Sequence, residues 1–200
     1  DSIRRFALAR LDESGHRALV ESRVLGWAIG HSEALLKLPS GGRQDDAVDA
    51  SWDNLEVAAQ LALDRDLAGC MKILTAMSLV AGRRRPITQL AERITDAWTW
   101  AGQQVPPPTQ AELVARSSTT LMRHGNAHRV GQNLDAVLRQ KELSPAARAR
   151  LHTCRGRLAM SQGVLAQVES DLEDARRHLG DLPERAPESL VLDLDARRLM

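Results

Sequence analysis

Apolar positions along the chain recur at helical spacing and are cut by short polar, glycine or proline breaks. After Pro86, residues Ile87, Leu90, Ala91, Ile94, Trp98 and Ala101 step by 3, 1, 3, 4 and 3. Those steps place all six on one helix face. Leu165, Val168, Leu172, Ala175 and Leu179 step by 3, 4, 3 and 4 in the same way. No segment sustains the period-two alternation of a half-buried strand. Breaks fall at Gly15, 39–42, 64–66, 82–86, 102–108, Gly125, 143–145, Gly163 and 180–187. They predict an all-α chain of about nine helices.

Start and stop residues refine the picture. Pro86, Pro145 and Pro187 stand where a first helical turn tolerates a missing N–H. Ser144 is positioned to cap the helix after it, and Thr109 the helix after the proline run. The run 106–108 predicts a stiff extended connector. The segment 38–46, with its Pro and Gly-Gly, predicts a loop and a hinge.

Composition sharpens the fold class. Only 2% of the 200 residues are aromatic and there is no tyrosine. That disfavours β folds and modules that stack bases on aromatic platforms. The core is instead Leu, Ala and Val. Charge is balanced, 27 basic against 26 acidic residues, so no global field selects nucleic acid or membrane. Nearly all the basic residues are arginine, which with abundant Ala suits GC-rich bacterial coding. Cys70 and Cys154 form no paired motif and read as small buried hydrophobes in a reducing, cytoplasmic setting.

A repeat underlies the breaks. Aligned on Gly82, Gly125 and Gly163, the chain places Ile87, Val130 and Val168 five residues on. Ala91, Leu134 and Leu172 follow at nine, and Ile94, Val137 and Ala175 at twelve. Seven residues before each glycine stands a small one: Thr75, Ser118 and Gly156. Helix, glycine turn and second helix with this small residue resemble the tetratricopeptide repeat, most closely over 151–183. The copies are degenerate: His152 and Arg155 replace large residues, and the spacing of 38 to 43 exceeds the family's roughly 34. The resemblance implies a right-handed superhelical array of antiparallel helix pairs. It also implies a concave face at positions 13, 10, 6, 3 and 2 before the turn glycine. Carried over, those are Arg150, Thr153, Arg157, Met160 and Ser161 in the last copy and Glu112, Ala115, Thr119, Met122 and Arg123 in the middle one. Lys72 is the charged position of the first. A face of Met, Arg and hydroxyls suits an acidic or amphipathic peptide.

The first 66 residues carry a second resemblance. Ser2-Ile3-Arg4 with Phe6-Ala7 and Arg10-Leu11, then a long helix, then Asp53-Asn54-Leu55 with Ala58-Ala59 and 61–66, are similar to bacterial STAND-type ATPase regulators. These are the NB-ARC/AfsR-like and LuxR-like proteins. The resemblance implies the tail of a winged-helix region at 1–14, linking helices at 15–66, repeats at 67–182 and the start of a further repeat at 183–200. The chain then reads as a piece of a longer protein. It implies a non-catalytic sensor and protein-interaction region that relays binding to an ATPase switch and a DNA-binding domain elsewhere. The alternative is a stand-alone scaffold or adaptor that binds a peptide of a partner. The expected partner is a protein or peptide, or a small-molecule inducer, without direct nucleic-acid or membrane binding; self-association is compatible with either reading.

Sites of chemistry are sparse. There is no phosphate-binding glycine loop, so ATP is expected only in another part of a parent protein, and no cofactor here. His124 and His128 flank a turn glycine, which favours surface histidines over a metal site. His152 and Cys154, two apart, point to different helix faces. Arg83-Arg84-Arg85 reads as a solvated turn whose arginines satisfy helix carbonyls. Arg148, Arg150, Arg155 and Arg157 form a second basic surface on one helix.

Overall fold

The computed structural model describes residues 9–82, 84–85, 87–101 and 104–180. Residues 9–13 are helical. Eight further helices follow: α1 Arg17–Lys37, α2 Gly42–Leu63, α3 Leu67–Met77, α4 Thr88–Ala101, α5 Pro107–Arg123, α6 Ala127–Leu138, α7 Pro145–Ser161 and α8 Leu165–Gly180. The chain is all-α, and the described residues hold no strand beyond an isolated bridge between Ala81 and Arg85. Among these helices none is long and apolar enough to cross a membrane.

Every substantial helix–helix contact belongs to one of three kinds. Consecutive helices pair as α1–α2, α3–α4, α5–α6 and α7–α8. The first helices of the pairs, α1, α3, α5 and α7, lie in a row against one another. Each second helix also leans on the first helix of the next pair, as α2 on α3, α4 on α5 and α6 on α7. Contacts confined to neighbouring pairs are the pattern of a stack of repeats. The expected linking helices are therefore two long helices that stand to α3 as later pairs stand to their successors.

The aligned positions explain the pairing. Gly82, Gly125 and Gly163 have φ of 74°, 82° and 74°, the left-handed region that lets a chain reverse tightly between helices. The apolar residues at nine and twelve after them are all buried at 1% exposure or less. Thr75, Ser118 and Gly156 are all buried. At the α1–α3 crossing a Cβ on Gly69 would press on the tip of Ile29 and on the Asp66 carboxylate, so a larger residue there requires those side chains to shift. Gly69 also donates its N–H to Asp66 Oδ1 at 2.8 Å, which caps α3.

Three local expectations change. The loop at 38–46 shrinks to 38–41, because α2 begins at Gly42. Buried Gln44 donates to Leu35 O at 2.9 Å and Leu38 O at 3.1 Å, satisfying the carbonyls at the end of α1. The proline run is not wholly extended: Pro106 is the N-cap and Pro107 and Pro108 start α5. First-turn N–H groups have no intrahelical partner, so their loss costs nothing there. Thr109 accordingly lies inside the helix instead of capping it, whereas Ser144 does cap α7, accepting from Ala147 N at 3.2 Å. Pro86, Pro187, the segment 1–8 with its winged-helix-like residues, and the further repeat at 183–200 lie outside the described residues.

One apolar cluster threads α1 to α7, with Leu55, Met71, Ile73, Leu74, Ile94, Leu113 and Leu134 fully buried. A second, small cluster of Ala159, Val168 and Leu172 joins α7 to α8.

Candidate functional site

The C-terminal turns of α5 and α7 lie side by side and frame a groove of about 460 Å³. Thr119, Met122 and Arg123 line it from α5, Arg157, Met160 and Ser161 from α7, and Ala127 from the start of α6. Six of these are the positions 6, 3 and 2 residues before Gly125 and Gly163. Parallel neighbours offset by one repeat bring equivalent residues together, so Thr119 answers Arg157, Met122 answers Met160 and Arg123 answers Ser161. Among the described residues, two guanidinium groups, Arg123 and Arg157, line the groove.

The other predicted face residues are engaged elsewhere. Arg150 donates to Glu112 at 2.7 Å, and Glu112 also accepts from Arg116 at 2.8 Å. Lys72 donates to Glu33 on α1 at 2.6 Å. These two bridges join neighbouring first helices at offsets of 38 and 39 residues, close to the repeat length. Thr153 is 1% exposed and gives its hydroxyl to Ala149 O at 2.9 Å, so it does not face the groove. Ser161 gives its hydroxyl to Leu158 O at 2.7 Å while lining the groove.

A second constellation escaped the sequence reading. His152 Nδ1 lies 2.9 Å from Asp171 Oδ1 and 3.7 Å from Asp174 Oδ2. Arg155 reaches the same Asp171 oxygen at 2.7 Å and Asp135 on α6 at 3.1 Å. Gln167 donates to Asp171 Oδ2 at 3.0 Å, and His178 stacks on His152 with ring centroids 5.7 Å apart. Burial pushes the Asp171 carboxyl up, but hydrogen bonds from His152, Arg155 and Gln167 and the Arg155 charge outweigh it and hold it below its ordinary value. His152, Asp171 and Asp174 offer ligand atoms within 4.8 Å of one another. Arg155 already supplies the positive charge, and a metal ion would have to displace it. The cluster reads as a structural ion-pair network that ties α6, α7 and α8. The i, i+3 pair His152 and Arg155 facing the i, i+3, i+7 set Asp171, Asp174 and His178 was its visible trace.

The remaining candidates are also structural. Arg84 pairs with Asp46 at 2.5 Å and Arg85 with Asp49 at 2.6 Å, while Arg85 lies over the Trp52 ring at 5.9 Å. The arginine turn is thus fastened to α2 carboxylates, not to helix carbonyls alone; Arg83 lies outside the described residues. Arg148 donates to Leu138 O and Gln140 O, closing the end of α6, so the basic residues of α7 do not form one free surface. Burial pushes the Cys70 thiol up to about 12 and raises that of Cys154. Neither is a ready nucleophile at neutral pH. Ser51 and His31 meet at 2.9 Å, but Ser51 gives its proton to Ala47 O at 2.5 Å, the wrong direction for activation by His31.

Compared with protein-family models, curated proteins and solved structures, the chain matches none.

Proposed function

We propose that this chain is a non-catalytic helical-repeat region that receives a ligand or partner protein and relays its binding within a bacterial STAND-type transcriptional regulator. One observation carries the reading: equivalent positions of two successive pairs converge on a single groove of Met, Arg and hydroxyl groups. Convergence of this kind is how stacked repeats build binding surfaces. The motif-like stretches at 2–11 and 53–66 supply the family, in which ATP binding and DNA recognition belong to other domains and the setting is cytoplasmic. The relay is a population shift: an occupant that favours one arrangement of the stack against an ATPase core biases that switch.

The same groove serves a second reading, a stand-alone scaffold that bridges proteins through a bound peptide. It is favoured by the groove being lined by seven residues of this chain's own helices. Sequencing the reading frame on both sides of Asp1 and Met200 separates the two. A P-loop ATPase encoded in frame ahead of Asp1 supports the regulator, and a frame lacking one overturns it in favour of the scaffold.

A further inference from the structure

We infer that the outward face of α1 docks an amphipathic helix of a partner protein, with an apolar ridge against Leu19 and Trp27 and acidic residues reaching Arg23 and Lys37. Such a partner rests on the interaction-region reading and gives the chain a second contact surface, away from the α5–α7 groove.

On α1, Leu19, Val20, Arg23, Trp27, Gly30 and Ala34 step by 1, 3, 4, 3 and 4, so one side of the helix carries all six. All six are exposed. Among the described residues seven large apolar side chains stand exposed, and three of them, Leu19 at 51%, Trp27 at 46% and Val20, share this face. A Cβ on Gly26 or Gly30 would meet nothing within 4 Å, so no described side chain covers the helix there. The end helix of a repeat stack ordinarily turns a polar side outward. An apolar side in that place marks a contact surface.

The stack itself says that the occupant is a helix. Lys72 of α3 meets Glu33 of α1, 39 residues earlier. The same offset carries Gly69, where α3 receives the Ile29 side chain of α1, onto Gly30. Helix α1 therefore repeats on its outer side the glycine with which α3 admits its neighbour, and the row of first helices can be continued by one more.

Charge selects the partner. The two carboxylates of α1 are already held, Glu21 by Arg17 and Arg65 and Glu33 by Lys72. Among the described residues Arg23 makes no ion pair. Lys37 feels the charge of Glu33, but that carboxylate is bonded to Lys72. Arg23 and Lys37 stand fourteen residues apart, about 21 Å along the helix, and bracket the apolar face. Acidic residues at that separation on a facing helix complement both. A second copy of the chain fits worse. An antiparallel contact centred on Gly30 sets Arg23 against Lys37 of the other copy, and like charges so placed repel.

The test titrates a fluorescein-labelled helical peptide of roughly 22 residues into the full chain, followed by anisotropy. The peptide carries leucines along one face and glutamates fourteen residues apart; a counterpart with lysine for glutamate runs in parallel. Light scattering records the mass of the chain alone. Saturable one-to-one binding of the acidic helix is expected, at least about tenfold tighter than the basic one. It should weaken about tenfold in Arg23→Glu and in Trp27→Ala, and amide exchange should slow across 19–34. Both residues are exposed, so the variants keep the fold, checked by circular dichroism. Absence of saturable binding, equal binding by Arg23→Glu, or equal binding of the basic helix overturns the inference. So does slowing at Met122 and Met160 with none in α1, or a dimer of the chain alone that Trp27→Ala dissociates. None of those results alters the reading-frame test, so the two proposals fail separately.

Discussion

The α3–α4 pair and the α7–α8 pair are built to the same plan and held together by different forces. In α3 every residue from Gly69 to Met77 is buried apart from Lys72, and the contacts are almost all apolar. Between α7 and α8 the buried apolar cluster among the described residues is three residues, with half-buried Met160 and Leu179 against it, and Asp171 adds a polar tie by gathering His152 and Arg155 of α7. Apolar packing is non-directional and indifferent to pH; a buried carboxylate network is directional and depends on ionisation. One fold therefore has a hub that tolerates changes of solution and an end pair that responds to them. Helix α7 serves both the groove and the network, since it carries Arg157 and Met160 into the first and His152 and Arg155 into the second.

The largest effect should come from the hub. Leu74 is fully buried, and Leu74→Ala is expected to cost about 4 kcal/mol, from lost burial and the cavity left behind. Chemical denaturation should show the whole transition moving to lower denaturant. If only a part of the signal moves, α3 is not the hub.

A smaller and local effect is expected from Asp171→Asn, about 2 kcal/mol, because Arg155 loses its buried charge partner while the shape is kept. Amide exchange in α8 should speed up about thirtyfold, with exchange in α3 unchanged. Equal acceleration in both would make the two pairs one cooperative unit and break the comparison.

Acid should draw the same distinction. The folded-state pKa of Asp171 is held below its ordinary value. Its stabilisation is therefore complete above the ordinary carboxylate value of about 3.9 and is lost as pH falls below it. In an acid titration followed by residue-resolved exchange, α8 should lose protection at a higher pH than α3, and Asp171→Asn should abolish the difference.

Smallest is the turn. A Cβ on Gly163 would meet nothing within 4 Å, so Gly163→Ala carries only the cost of its φ of 74°, about 1 kcal/mol. A midpoint shift of several kcal/mol would mean that the turn also packs against something.

Much of the fold was legible because helix periodicity and turn glycines are local. Each break up to Gly163 separates helices, and Gly82, Gly125 and Gly163 mark the turns within the last three described pairs. The first pair escaped because its turn, at Gly41 with φ of 142°, is held by Gln44 and lacks the fixed apolar offsets of the later copies. The groove was legible in part: positions 6, 3 and 2 before the glycine face it, whereas those at 13 and 10 do not. Glu112 with Arg150, and Lys72 with Glu33, neutralise each other across helices 38 and 39 residues apart, a pairing that depends on how the first helices slide past one another. Thr153 turns inward as well, its hydroxyl bonded to Ala149 O of its own helix. The His152 network spans α6, α7 and α8, and spacing along one helix shows only fragments of it.

The central claim is that two successive repeats jointly form the binding groove. Amide exchange on the full chain, with and without a saturating amphipathic acidic peptide, the partner chemistry expected of this face, tests it residue by residue. The account predicts slower exchange in the last turns of α5 and α7, around Met122 and Met160, and no change around Lys72 or Arg150. Protection at Lys72 or Arg150 with none at Met122 and Met160 would contradict it.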